Sequence, residues 1–595
     1  MKWKTFLSFA AALLLHLPLF SQNNPLINYL PGDVSMVVNF DVKRLAGNIP
    51  RETFRESFIY RELIMDSKIS FQPFLAQPER SGIDLSSGIL LAIKEKDPGE
   101  TGSGPLIYIF GKLRDAGLFT TNIQELVKES DDSIAVYGTD RILFSENNIT
   151  AAWNHDIFVI SSGYASEIRD EINKAYNFDD SSDREPVDMK LIMEKIKRSQ
   201  RDICFQLLTS KPQNKFHSNS HFTTVMNSGA DIKIWNGGAA YPMPAILSPF
   251  TELAGKLKAF TGKNNTALVN FENGKIVVQS RSFPEATVTS IYNKYPSLSQ
   301  HQDLVHRLPK GTIMGMMNIS FSQEMTRELL EKAGLGEIID SFKRAVPFDL
   351  HLATGVFKSY MMLAVVKTDI TNTTDPITSK MGGFQVIVAL PVADKVKFEK
   401  LKATILPHWD SLKTLKAGMF KDASFFAKNN EELLVLSLSP ETATAFLNNP
   451  GTQVMPAWLD TNNSYPLIMN VNIRELIKTL NNKPVRSRDM QEENLFNMFD
   501  QLIVYGGKYE NESINNTIEF SFTNQTENAL KQLFDLVNAK SEISELLKEE
   551  RKMQIDSVIT EEKRQEEKSK NPPPAKPPNS KVKMQKFTPP VIKKE

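Results

Sequence analysis

The chain has 595 residues, of which 41% are hydrophobic and 24% charged, a composition typical of soluble globular proteins and unlike that of multi-span membrane or wholly disordered ones. Its 70 Lys and Arg balance 70 Asp and Glu, so the overall charge does not favour a nucleic-acid-binding role. The only cysteine, Cys204, excludes an intramolecular disulfide framework and any cysteine-rich metal site. The length predicts two or more domains.

The first residues have the pattern of a secretory signal. Lys2 and Lys4 precede an apolar stretch, Phe6 to Leu19, and Ser21 is a small residue suited to the position before a cleavage site. We predict a signal peptide over residues 1–22 and export to the periplasm or the extracellular space. The alternative is an uncleaved anchor, which the short apolar stretch disfavours because a membrane-spanning helix needs about 20 apolar residues. No later stretch is long and apolar enough, so we predict no integral membrane span in the mature chain.

Two segments about 280 residues apart resemble each other. YLPGDVSMVVNFDV and RLPKGTIMGMMNIS each contain a Leu-Pro turn, an apolar strand and an asparagine near the strand end, Asn39 in the first and Asn318 in the second. A helical pattern of apolar residues follows each strand. The resemblance predicts two tandem domains of similar fold, the first over residues 23–296 and the second over residues 297–540. The alternative is an ordinary alternation of strands and helices without a repeat.

The parallel continues through strand–helix units, polar turns and a final hairpin that leads into a helix. The matched turn residues are Asp84, Leu85 and Gly88 with Asp349, Leu350 and Gly355, and Asn147-Asn148 with Asn429-Asn430. Asparagine pairs suit hairpins because asparagine tolerates a positive φ. Since short polar turns join successive strands, we predict an α+β fold in which each domain is a mostly antiparallel sheet with helices on one face.

Local patterns give expectations for three interior segments. DICFQLL around Cys204 alternates like a strand, which predicts a buried, inert thiol. Residues 211–245 predict a long loop around one short strand, DIKIW. Trp235 ends that strand, and we favour a plug at the edge of the core over a place at a binding surface. A methionine cluster is expected in a buried strand, with a surface for an apolar ligand as the alternative; its members are Met314, Met316 and Met317.

The C-terminal stretch changes in composition. Residues 541–570 are highly charged with mixed sign and predict an exposed helical extension. Residues 571–595 are rich in Pro and Lys and predict a disordered tail. We expect its lysines to bind an anionic envelope polymer, lipid headgroups or a proline-reading partner, the alternative being a solubilising spacer. These lysines are Lys576, Lys581, Lys583, Lys586, Lys593 and Lys594.

The sequence contains no nucleophile elbow, no dinucleotide fingerprint and no phosphate loop. His217 and His221 have the i, i+4 spacing of paired metal ligands, but Ser and Asn around them disfavour a helix, so we favour two solvated loop histidines. The acidic run of Asp179, Asp180 and Asp183 lacks the spacing of a calcium loop. We therefore predict no catalytic residue, no metal and no cofactor, and we expect that the protein is not an enzyme.

Three stretches together resemble a family of duplicated, signal-peptide-bearing envelope proteins of Gram-negative bacteria, a domain of unknown function. They are the strand LPGDVSMVVNFDV after the signal, the strand that begins Asp-Leu-x-x-Gly, and the ending FTNQTENALKQLF. The resemblance spans most of residues 27–540. Many members carry a lipobox cysteine at the end of the signal, and this chain has none. The resemblance implies an envelope location and an internal duplication, and it brings no catalytic residues with it.

These observations favour a non-enzymatic, secreted or periplasmic binding or scaffold protein of the bacterial envelope. Its expected partner is an envelope protein or polymer, and no nucleic acid. Two alternatives stay open. One is a carrier of a lipid or other apolar ligand, held between a sheet and its helices. The other is a hydrolase whose active-site residues are distant in the chain, as those of a catalytic triad can be.

Overall fold

A computed structural model describes residues 24–58, 60–61, 80–95, 105–127, 133–144, 149–162, 189–237, 264–299, 301–332, 355–368, 383–405, 426–448, 456–461, 464–480, 497–541, 552–553, 555–556, 559–560 and 563. The chain divides into two compact units, Met1–Asn538 and Ala539–Glu595. In the second unit, the described residues from 552 onwards are helical and exposed. The predicted signal peptide and the six tail lysines lie outside the described residues.

The first unit holds a sheet of eighteen strands. Its strands are β1 Met36–Phe40, β2 Ile89–Lys94, β3 Leu106–Lys112, β4 Ser133–Tyr137, β5 Asp140–Phe144, β6 Ile149–Trp153, β7 Ile157–Ser162, β8 Ile232–Asn236, β9 Asn264–Glu272, β10 Lys275–Phe283, β11 Thr312–Ser320, β12 Tyr360–Lys367, β13 Phe384–Pro391, β14 Phe426–Asn429, β15 Leu433–Ser437, β16 Leu467–Asn472, β17 Phe499–Glu510 and β18 Ser513–Phe522. Every ladder between them is antiparallel, which confirms the predicted α+β class with antiparallel pairing.

The two halves of this sheet have the same order of strand pairing. In the first half the order is β6-β7-β3-β2-β1-β8-β9-β10. In the second half it is β14-β15-β13-β12-β11-β16-β17-β18. The first half adds the hairpin β4–β5 at its outer edge, next to β6. Corresponding strands therefore occupy corresponding places in two consecutive stretches of chain.

The last strands of the two halves, β10 and β18, pair with each other and join the sheet into one. Their register runs from Lys275 opposite Ser521 to Ser282 opposite Ile514, with Gln279 opposite Thr517. Gln279 and Thr517 are each the fifth residue of their strand. The ladder therefore has a local two-fold axis at this pair of corresponding positions. No break in pairing separates the halves at the predicted boundary near residue 296.

Helices connect the strands. They are α1 Val42–Gly47, α2 Arg51–Glu56, α3 Ala116–Val127, α4 Met189–Leu208, α5 Lys215–Ser218, α6 Ser220–Met226, α7 Ala286–Lys294, α8 Gln323–Lys332, α9 Lys395–Ile405, α10 Pro440–Asn448, α11 Ala457–Thr461 and α12 Ile473–Leu480, followed by α13 over residues 529–541. Among the described helices, none has both the length and the apolar character that crossing a membrane requires.

Helices cover both faces of the sheet in the first half, so the prediction of helices on one face is wrong. Neighbouring residues of a strand point to opposite faces. On β3, Phe110 packs in the cluster that contains Cys204 of α4, whereas Ile109 packs in the cluster that contains Phe119 of α3. The strand reads LIYIF, and such a continuous apolar run is typical of a strand buried on both faces.

The second half has its own core around β12, β13 and β15. Phe446 of α10 and Leu459 of α11 pack there against the strands. Met314 and Met316 of β11 are 3% and 2% exposed, which confirms their predicted burial. Met317 points to the opposite face of the sheet and is partly exposed.

Cys204 is buried as predicted, but it lies on α4 and not on a strand. Burial raises the pKa of its thiol to about 12, so the group stays protonated at neutral pH. Buried side chains of α4 recur every fourth residue, at Ile192, Ile196, Gln200, Cys204 and Leu208, with Leu207 buried beside the last of them. A seven-residue window is too short to separate this period from a strand pattern, which explains the error.

The hairpin predicted at Asn429-Asn430 forms between β14 and β15, with the Asn430 amide donating to the Leu433 carbonyl at 3.1 Å. The backbone of Asn430 does not adopt a positive φ. Instead, its side-chain oxygen accepts a hydrogen bond from the Glu432 amide at 2.9 Å, which closes the turn. Its structural counterpart is Asn154, whose side chain does the same between β6 and β7. The predicted counterpart, Asn147-Asn148, lies outside the described residues.

Gly88 and Gly355, which the sequence pairs, do not occupy equivalent places. Gly88 directly precedes β2, whereas Gly355 lies five residues before β12. The hydrogen bonds that align the two loops run from Arg114 and Asp115 amides to the Gly82 carbonyl, and from Ala393 and Asp394 amides to the Val356 carbonyl. Because Gly82 and Val356 accept equivalent hydrogen bonds, the residues before them correspond, and Ser81 is the counterpart of Gly355. Asp349 and Leu350 lie outside the described residues.

We predict that Gly111→Ala destabilises the first unit by about 1–3 kcal/mol, the usual cost of overpacking a core. The Phe158 ring lies over Gly111, and a Cβ there would come within 2.2 Å of a ring carbon. Urea unfolding measures the free-energy change. Gly229→Ala is the control because nothing lies within 4 Å of its Cβ position. Equal stability of both variants would contradict the close approach of Phe158.

Candidate functional site

Residues 214–237 hold two short helices before β8, where the sequence predicted a loop. Asn214 caps α5 by accepting from the Phe216 amide at 3.1 Å, and Asn219 caps α6 by accepting from the Phe222 amide at 3.0 Å. Asparagine favours both turns and helix N-caps, so its abundance here was ambiguous. The strand predicted at DIKIW is confirmed as β8.

An aromatic cluster fixes these helices to the sheet. The Trp235 ring of β8 meets the rings of Phe216 and Phe222 edge to face, at centroid distances of 5.4 and 5.5 Å. All three side chains are at least 96% buried, because Trp235 is 4% exposed, Phe216 1% and Phe222 0%. Such edge-to-face pairs are each favourable by about 0.5–1.5 kcal/mol beyond their burial.

A pocket of about 520 Å³ opens beside this cluster. Lys215, Ser218, Asn219, Ser220 and His221 line it from the helical side. The sheet contributes Trp235 and Gly237 at the end of β8 and Asn264 at the start of β9. Pockets of this size hold small ligands in many proteins.

Polar groups dominate the rim of the pocket. The Asn219 side-chain amide donates to the Asn264 side-chain oxygen at 3.2 Å, which links the helical side to the sheet. Lys215 supplies a cation, and the described residues that line the pocket include no carboxylate. Glu512, in the turn between β17 and β18, lies near enough to act on His221 by charge. The pocket is therefore rich in hydrogen-bond donors.

The indole Nε1–H of Trp235 is buried and has no acceptor among the described residues. Indole nitrogen is only a donor, and a buried donor without a partner costs about 1–3 kcal/mol. Most buried polar groups in proteins have a partner, so an orphan of this kind calls for an explanation. Because Trp235 lines the polar pocket, a ligand bound there is a candidate for the missing acceptor.

The two histidines lie on different helices and turn to different partners. His217 on α5 contacts the Asn28 side-chain oxygen through Nε2 at 2.8 Å. His221 on α6 stacks on Phe283, with ring centroids 3.6 Å apart. The helices contradict the predicted loop, and the geometry does not aim both rings at a shared ion. Among the described residues, no three His, Cys, Asp or Glu side chains lie together as metal ligands.

A buried lysine contacts the C-terminal end of α6. Lys233 of β8 is 2% exposed, and its Nζ donates at 3.2 Å to the carbonyl of Met226, the last residue of α6. A cation at a helix C-terminus is favourable because carbonyl dipoles converge there. Burial lowers the pKa of Lys233, while the charge of Asp41 opposes that shift and Arg44 adds to it.

The corresponding strand of the second half lacks these groups. Lys233 pairs with Asn39 of β1, as Ile468 pairs with Asn318 of β11. By the same register Asn470 takes the place of Trp235. The ladder therefore needs neither a lysine nor a tryptophan at these positions, and Lys233 and Trp235 are particular to the first half.

Sequence reasoning singled out Trp235 and His221, and the structure brings them to one pocket. Trp235 is buried at the core, as the favoured interpretation had it, and it also lines the pocket. Lys215, Asn219 and Asn264 were missed, because nothing in the local sequence shows that β9 will lie beside α6. The tail lysines proposed as a binding site lie outside the described residues, as do Asp179, Asp180 and Asp183.

We predict that His221 makes the protein less stable as the pH falls. Burial lowers the pKa of His221 below its ordinary 6.5, so the unfolded chain takes up a proton before the folded chain does. The contribution is complete above the unfolded pKa of about 6.5, begins to be lost below it, and is gone once the pH has fallen through the lower folded pKa. Urea unfolding at about pH 7.5 and 5.5 measures the drop, which should shrink in His221→Gln. His217→Gln is the control, and an equal drop in wild type and His221→Gln would contradict the prediction.

Comparison with known proteins adds no assignment to this geometry. No family model, curated protein or solved structure matches the chain. What the protein binds or does must therefore be inferred from its own residues.

Proposed function

We propose that the protein is a non-enzymatic binding protein of the bacterial envelope and that the pocket around Trp235 is where it holds a polar ligand, such as part of an envelope polymer. One observation carries the proposal: a buried, unpartnered indole N–H beside a donor-rich pocket of about 520 Å³. The lining offers amide, hydroxyl, imidazole and ammonium groups. Such a set binds hydroxyl- and carboxyl-bearing molecules through hydrogen bonds.

The location and the history of the protein form part of the same proposal. The signal-like pattern of residues 1–22 favours export. The matching order of strand pairs in the two halves supports an internal duplication, as does the centring of the β10–β18 ladder on Gln279 and Thr517. After a duplication one copy is free to change, which accounts for Lys233 and Trp235 standing where the second half has Ile468 and Asn470.

We predict that the purified full-length protein binds saccharides from an envelope glycan array. Ser220→Trp should weaken that binding at least about tenfold because an indole at the exposed Ser220 position fills the pocket. Thr224→Trp, one turn further along α6 and outside the lining, is the matched control. Binding that survives Ser220→Trp, or no binding to any glycan, would sink the proposal.

A second candidate, a carrier of an apolar ligand, is favoured by a different observation. On the sheet face opposite Trp235, directly paired residues of eleven strands form one apolar row, each partly exposed. Its members are Phe40, Ile232, Val269, Val278, Ile518, Val504, Met469, Met317, Leu363, Val388 and Leu436. Ile518, beside the local two-fold axis, is 36% exposed. A long, narrow apolar row suits a linear acyl chain.

For this candidate we predict that protein purified without detergent releases an acyl-chain lipid on native mass spectrometry. Val278→Glu should abolish the lipid signal because it places a charge in the middle of the row. Gln279→Glu is the matched control, since Gln279 is exposed and points to the opposite face of β10. Absence of lipid from the wild type, or retention in Val278→Glu, would remove the carrier function.

A further inference from the structure

We infer that the ligand of the Trp235 pocket is an acidic sugar, a saccharide ring that carries a carboxylate. The inference rests on the proposed function of the pocket and names the ligand class. Three features carry it: the charge of the lining, the orphan indole N–H and the pairing of amides with aromatic rings.

The charge of the lining selects an anion. Lys215 is the one cation among the described lining residues, and no carboxylate accompanies it there. Lys215 lies on the exposed side of α5, with its Nζ 5.3 Å from the Phe216 ring centroid. A lone ammonium matches the single negative charge of a carboxylate. Phosphate more often calls for an arginine fork or several cations, and the described lining residues provide neither.

The orphan donor belongs to Trp235, which lines the pocket from the sheet side. Trp235 is 4% exposed, and its Nε1–H has no acceptor among the described residues. A carboxylate has two oxygens that both accept hydrogen bonds, so it suits a pocket whose lining includes an indole N–H and an ammonium. Hydrogen bonds to an ionised acceptor are stronger than those between neutral groups.

The remaining lining suits a sugar ring. Asn219 and Asn264 are joined by a hydrogen bond of 3.2 Å, and each retains amide groups that donate to or accept from hydroxyls. His221, stacked on Phe283, presents a flat ring beside them. A pocket of about 520 Å³ has room for one or two sugar rings.

Calorimetry on the full-length protein tests the inference with glucuronate, its neutral methyl ester, glucose and acetate as probes. We expect saturable binding of glucuronate and affinity about tenfold weaker for the ester and for glucose, since a hydrogen bond to a charged group is lost. Acetate should bind more weakly still because it makes no ring contacts. Equal binding of acid and ester, or no binding of glucuronate, would overturn the acidic class. Acetate that competes as well as glucuronate would overturn the sugar.

Two variants test whether glucuronate binds in the Trp235 pocket. Lys215→Met should weaken glucuronate about tenfold and leave the ester unchanged, whereas Lys211→Met, outside the lining, should change neither. Trp235→Phe keeps an aromatic ring in the core but removes the orphan donor together with part of the indole ring, so urea unfolding first checks that it folds, and we expect about tenfold weaker binding of glucuronate. If Trp235→Phe fails to fold, Lys215→Met alone decides. If the protein binds saccharides on the array but binds glucuronate and its ester equally weakly, the acidic ligand class is rejected and the saccharide-binding proposal stays in place.

Discussion

The ladder between β10 and β18 is the interaction on which the rest of the first unit depends. It joins the two halves through the last strand of each, and its register places Gln279 opposite Thr517. Without it, each half would present a long edge strand with a row of unpaired amides and carbonyls. Pairing equivalent edges satisfies those groups, and it places the β17–β18 turn next to β9, β10 and the pocket.

The pocket follows from this joining and from the aromatic packing around Trp235. Phe216 and Phe222 dock two short helices on β8, and the Lys233 ammonium holds the end of α6 from below. The polar rim is assembled from α5, α6, β8 and β9, and Glu512 of the second half acts on His221. A donor-rich site thus forms in the half whose Trp235 and Lys233 differ from their counterparts in the other half.

Errors in the sequence predictions have local causes. DICFQLL around Cys204 looks like a strand over seven residues, while the four-residue period of α4 is visible only from Ile192 to Leu208. Helices on one face were expected, although the apolar run of β3 already indicated burial on both. The sequence comparison paired Asn429-Asn430 with Asn147-Asn148 because both are Asn-Asn pairs. The side-chain hydrogen bonds in the two turns show instead that Asn154 is the counterpart of Asn430.

The α+β class, the antiparallel hairpins, the strand at DIKIW and the burial of Cys204, Met314 and Met316 were predictable from the amino-acid sequence, because they depend on periodicity and turn chemistry within short segments. Three features became visible only in the folded chain: the two halves share one sheet, helices lie on both its faces, and Asn264 meets Asn219. These features depend on pairing between residues far apart in the chain, which no local pattern encodes. The indole N–H of Trp235, which has no acceptor among the described residues, is of the same kind, since a missing partner shows only in the folded structure.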